Sequence, residues 1–75
     1  MSFREFKIKY SEYIKNRNIQ ITTIEDYLGK RIFVVVERFM NVYLEESIKD
    51  KIVKDLKKIG FIYDSRIEGY VKFKK

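Results

Sequence analysis

The chain predicts an α+β domain in the order α-β-β-α-β-β, a four-stranded antiparallel sheet with two helices on one face. Three observations carry that prediction. Residues 2–17 and 44–59 repeat apolar side chains at helical spacing, residues 19–36 are rich in β-branched residues, and two short apolar segments follow Gly60. Gly29, Gly60 and Gly69 stand where turns are needed, and there is no Pro. At 75 residues the chain is one small domain, 1–75. Its halves repeat the logic α-β-β with low residue identity.

In the first segment Phe3, Phe6, Tyr10, Tyr13 and Ile14 fall within an arc of about 100° on a helical wheel. Ser2 with Glu5 matches the S-x-x-E capping box, in which hydroxyl and carboxylate satisfy two free backbone donors. Phe6, Ile8 and Tyr10 also alternate as a strand would, which would permit a ferredoxin-like βαββαβ order. The cap, and Ile8 as the single misfit on the wheel, favour helix.

Ile19, Ile21, Thr22, Thr23 and Ile24 make a first strand, Leu28-Gly29-Lys30 a turn, and Ile32-Phe33-Val34-Val35-Val36 a second strand. The second is apolar on both faces, so it belongs in the centre of the sheet or under another chain. Lys30, Arg31, Glu37 and Arg38 flank it as guards against strand aggregation. In the second helix Leu44, Ile48, Ile52, Leu56 and Ile59 form the apolar stripe and Gly60 suits a left-handed C′ position. Glu45 and Glu46 at its start and Lys57 and Lys58 at its end complement the macrodipole. Phe61–Tyr63 and Tyr70–Phe73 close the chain as a second hairpin.

Composition excludes more than it identifies. Without Cys or His there is no thiolate nucleophile, no disulfide, and no Cys- or His-ligated metal. Glu46 and Asp50, spaced i,i+4, offer a weak carboxylate pair that neighbouring lysines explain better. No Gly-rich phosphate loop is present. The expectation is a non-enzyme with no catalytic residue, no metal and no cofactor. The N-terminal segment lacks a signal-peptide apolar region and the longest apolar run, Ile32–Val36, is far below a membrane span, so a cytoplasmic, non-membrane protein is expected.

The charge is +6, from 17 Lys and Arg against 11 Asp and Glu. Lys51, Lys54 and Lys58 fall within about 60° on the second helix and form a ridge that can follow a phosphate backbone, with Asp50 and Asp55 at i,i+4 spacing to Lys54 and Lys51. Lys7, Lys15 and Arg17 add base to the first helix. On the last strand, period two sets Tyr70, Lys72 and Lys74 on one face, where a ring can stack on a base while ammonium groups neutralise phosphate. The leading expectation is therefore a small nucleic-acid-binding module for DNA or RNA.

The alternative is an inhibitor or adaptor that contacts a host protein, of the kind phages and other mobile elements encode, anti-CRISPR-like blockers of nucleic-acid enzymes among them. Small size, a blend of Lys, Ile, Tyr and Asn with little Gly and no Pro that suggests an AT-rich genome, and six tyrosines fit that reading. Tyr27 and Tyr43, beside a turn and a helix entry, are its interface candidates. A homodimer, with Ile32–Val36 covered by its twin, is compatible with either function.

Overall fold

Ser2 starts the first helix as the sequence predicts. Its hydroxyl accepts from the Glu5 backbone N–H at 3.1 Å, and its own N–H donates to the Glu5 carboxylate at 3.2 Å. The Ser2 N–H, with the Ser2 hydroxyl in support, holds the Glu5 carboxyl below its ordinary range. The computed structural model describes residues 1–36 and 46–74, the Lys74 side chain excepted. Glu37, Arg38, Tyr43, Leu44 and Glu45 lie outside the described residues.

The first helical segment is two stretches, α1 (Phe3–Lys9) and α2 (Ser11–Lys15), where the sequence predicts one helix. Tyr10, at φ −109° and ψ 26°, departs from helical geometry between them. The backbone ladder nonetheless carries through, because Tyr10 N–H donates to Phe6 C=O and Ile14 N–H to Tyr10 C=O. Phe6 and Tyr10 are buried while Ile8 is exposed, as the wheel requires, and the ferredoxin-like alternative is excluded.

The C-terminus of α2 is closed by a Schellman motif: Arg17 N–H donates to Ile14 C=O and Asn18 N–H to Tyr13 C=O. That motif needs a left-handed residue, and Arg17 sits there at φ +65°. A non-glycine residue costs about 1 kcal/mol in this conformation. Arg17→Gly is therefore expected to raise stability by up to ~1 kcal/mol, read as a higher urea midpoint at unchanged m-value.

Strand β1 (Ile19–Asp26) and strand β2 (Gly29–Val36) form a hairpin in the register Ile19↔Val36 through Asp26↔Gly29. The turn is held by Leu28 N–H donating to the Asp26 carboxylate at 2.9 Å and by Gly29 at φ +108°. Helix α3 (Glu46–Ile59) follows, and its end repeats the Schellman motif with the expected glycine. Gly60 lies at φ +113°, its N–H donates to Lys57 C=O, and Phe61 N–H donates to Leu56 C=O. Leu56 and Phe61 both enter the core, the apolar contact this motif favours.

Strands β3 (Ile62–Asp64) and β4 (Gly69–Lys74) complete an antiparallel sheet of order β1-β2-β4-β3. The doubly apolar strand β2 is central, as its sequence predicts. The core lies on one side of the sheet, where Phe6, Tyr10, Ile52 and Leu56 of the helices meet Ile19, Ile32 and Val34 of the strands. The described helices therefore cover a single face.

Candidate functional site

Cross-strand register sorts the side chains of the sheet. Ile32, opposite Lys72, and Val34, opposite Tyr70, point toward the helices, so Tyr70 and Lys72 share the covered face. Both are half-buried there, on the side that the helices cover. The period-two grouping holds, but the helices pack over it. Tyr70 packs against the core with its ring edge-on to Tyr63, at 5.3 Å between centroids. Burial, and secondarily Tyr63, pushes its hydroxyl pKa up. Lys72 is half-buried, and its ammonium donates to the Ile59 carbonyl at the end of α3 at 2.9 Å. Lys74 pairs in register with Lys30.

The helical side still assembles a basic site, with different members. A cleft of about 250 Å³ is lined by Phe3, Arg4, Lys7, Ile32, Phe61 and Lys72. The S-x-x-E cap fixes where α1 begins and so places Phe3, Arg4 and Lys7 in its first turns, while the Schellman motif of α3 delivers Phe61. Phe3 and Phe61 stand 5.3 Å apart between ring centroids, tilted by 41°. The Lys7 ammonium lies 5.3 Å from the centroid of Phe3. Phe61 and Ile32 are buried and form an apolar floor, and three cations surround it. None of the lining residues is a carboxylate. Such a cleft suits a planar ring bearing an anionic group, because the ring stacks on Phe3 while phosphate meets Arg4, Lys7 and Lys72.

The remaining predicted residues are on the same side or at its rim. Lys51, Lys54 and Lys58 are exposed along α3, and Lys15 and Arg17 are exposed at the end of α2. Tyr27 is 93% exposed at the tip of the β1–β2 hairpin. Tyr43 lies outside the described residues. Phe3, Arg4 and Phe61 were not singled out from sequence as site residues. The pairing of Phe3 with Phe61 joins positions 58 residues apart, and no local pattern signals it.

Between α1 and α3 the structure overturns a second expectation. Asp55 does not serve as an exposed i,i+4 partner of Lys51; it is 7% exposed. One of its oxygens accepts from the Tyr10 hydroxyl at 2.5 Å and from the Lys9 ammonium at 2.9 Å. The Tyr10 bond, with help from Lys9 and the field of Lys58, holds the Asp55 carboxyl below the usual range although burial opposes this. Burial, reinforced by Asp55, pushes the Tyr10 hydroxyl up. Lys9 is raised by its bond to Asp55.

The uncovered face of the sheet is apolar. Register gives three outward rows: Ile24, Arg31 and Phe73; Thr22, Phe33, Val71 and Ile62; and Gln20 with Val35 on one side and Gly69 with Asp64 on the other. Ile62 is 71% and Phe73 59% exposed. No lysine occupies any of these positions. The Arg31 guanidinium lies 5.5 Å from the Phe33 ring centroid and is paired with Asp26 at 2.6 Å. At the other end Asp64 is paired with Arg66 at 2.8 Å, and that guanidinium holds its carboxyl low. Among the described residues the molecule is thus two-sided, basic over the helices and nearly neutral over the open sheet.

No helix among the described residues is long and apolar enough to cross a membrane. Among the same residues no group of three or more acidic side chains could hold a metal ion. Comparison with protein-family models, with curated proteins and with solved structures returns no match. The class defined by this geometry is a small basic α+β domain with a helix-covered antiparallel sheet.

Proposed function

We propose that the chain is a non-enzymatic nucleic-acid-binding module whose contact surface is its helical side. The observation that carries this reading is the cleft in which Phe3 and Phe61 are ringed by Arg4, Lys7 and Lys72 with no lining carboxylate. An unstacked base fits its apolar floor, and the flanking phosphates meet cations. Lys51, Lys54 and Lys58 on α3 extend the positive surface along the backbone of the bound strand. Because the cleft takes a ring out of the stack, single-stranded DNA or RNA is favoured over duplex.

Fluorescence anisotropy with labelled single- and double-stranded oligonucleotides across a salt series tests this. Affinity is expected to fall steeply with salt. An Arg4→Glu, Lys7→Glu pair should weaken single-strand binding at least ~10-fold, as two phosphate contacts are replaced by repulsion. Lys51→Glu, Lys54→Glu and Lys58→Glu together should flatten the salt slope. Absence of binding to any oligonucleotide at low salt would end this reading.

A second reading, contact with a host protein, is favoured by the exposure of Tyr27. Under it, Tyr27→Ala would remove function while leaving the fold and oligonucleotide binding unchanged.

A further inference from the structure

The open face of the sheet is a feature that the nucleic-acid reading does not use. We infer that it is a self-association surface, on which a second copy of this chain packs sheet against sheet about a two-fold axis.

Three observations point to a second copy. First, this face carries apolar side chains on all four strands, with Ile24, Ile62 and Phe73 exposed and Phe33, Val35 and Val71 half-buried, and a depression of about 240 Å³ lined by Ile24, Phe33, Val35 and Ile67 can take a partner's side chain. Scattered apolar residues need no explanation, but a contiguous exposed patch marks an interaction site.

Second, charge decides among the occupants. A nucleic acid would need cations on this face, yet its arginine, Arg31, is already neutralised by Asp26, and Arg66 at the rim is neutralised by Asp64. An identical chain, by contrast, carries +6 and must approach without juxtaposing its lysines. The open face permits this, since the lysine side chains among the described residues stand on the helices or at the helix-side strand positions Lys30 and Lys72. Like charges then stay on the two outer surfaces of the pair.

Third, the size is suitable. Four strands at ~4.8 Å spacing, three outward residues deep, give a face about 19 Å wide. Stacked sheets of that extent sit about 10 Å apart and interdigitate, as in sandwiches. The contact is at the small end of specific interfaces, on the order of 1,000 Å² in total, so a dimer of micromolar strength is expected. In it the two helical layers face opposite directions. Independently of whether those layers bind nucleic acid, the dimer is a two-sided object with a basic surface on each side.

Sedimentation equilibrium of the full chain, without nucleic acid, tests the inference. The expected result is a monomer–dimer equilibrium in the micromolar range. Ile62→Glu and Phe73→Glu, each at an exposed position that leaves circular dichroism unchanged, should raise the dimer dissociation constant at least ~10-fold, because each buries an unpaired carboxylate at the interface. Lys54→Glu on the outer helix should leave it unchanged. A monomer at every concentration would overturn the inference and leave the face to a different protein. A dimer that survives both glutamate variants would also overturn it, and would assign association to another surface. Because the measurement contains no oligonucleotide, its failure is separate from failure of the nucleic-acid reading.

Discussion

Asp55→Ala is expected to lower the unfolding free energy by about 3 kcal/mol, read from urea denaturation at neutral pH. Asp55 ties α3 to the first helical segment, and the Tyr10 hydroxyl and Lys9 ammonium both donate to the same oxygen. Removing it leaves the buried hydroxyl of Tyr10 without its acceptor and opens space beside the core. Tyr10→Phe, which leaves the carboxylate its Lys9 partner, should cost less, about 1–2 kcal/mol.

The same group sets an acid limit. The Asp55 carboxyl is held lower in the folded chain than the ordinary value of 3.8 that it takes in the unfolded one. Its contribution is therefore complete above that value and is lost as pH falls through the folded-state pKa. Wild-type stability should decline over that acidic window, and the decline should be shallower in Asp55→Ala. A parallel decline in both proteins would assign acid sensitivity to other carboxylates, with Asp64 beside Arg66 the next to examine.

Gly69→Ala is expected to destabilise the domain by about 2 kcal/mol, against the usual direction for such a change in a strand. Alanine normally gains because it restricts the unfolded chain. At Gly69 an added Cβ would stand 2.9 Å from the Val34 carbonyl oxygen and 2.9 Å from a methyl of Val35. Both belong to the central strand β2, and the carbonyl is fixed backbone that cannot turn aside. Relief requires β4 to move off β2, which loosens the Val34↔Tyr70 pairing. Thermal unfolding should show a lower Tm for Gly69→Ala, whereas an unchanged Tm would mean that the β3–β4 turn adjusts freely.

The architecture was legible because it rests on local periodicity. Phe3, Phe6 and Tyr10 at helical spacing, Ser2 and Glu5 at the cap, Gly60 after Ile59, and β2 apolar on both faces each report a constraint contained in a few consecutive residues. The break at Tyr10 was not legible, since Tyr10 continues the apolar stripe and its departure from helical geometry leaves no mark in the spacing. The role of Gly69 was read as turn punctuation, whereas close approach of β2 governs it.

The site was less legible for a related reason. Period two correctly grouped Tyr70 with Lys72, but which of the two faces lies beneath the helices depends on strand order and register. Asp55 has the same spacing to Lys51 whether it is exposed or buried, and only the approach of α1 turns it toward Tyr10 and Lys9. From its sequence alone this chain has its elements, their order, its central strand and its surplus of positive charge. Tertiary packing decides the rest: it brings Phe3 to Phe61, separates a basic helical side from a neutral apolar sheet face, and buries one carboxylate. These arise from contacts between residues far apart in the chain, and no spacing rule within a single helix or strand can encode them.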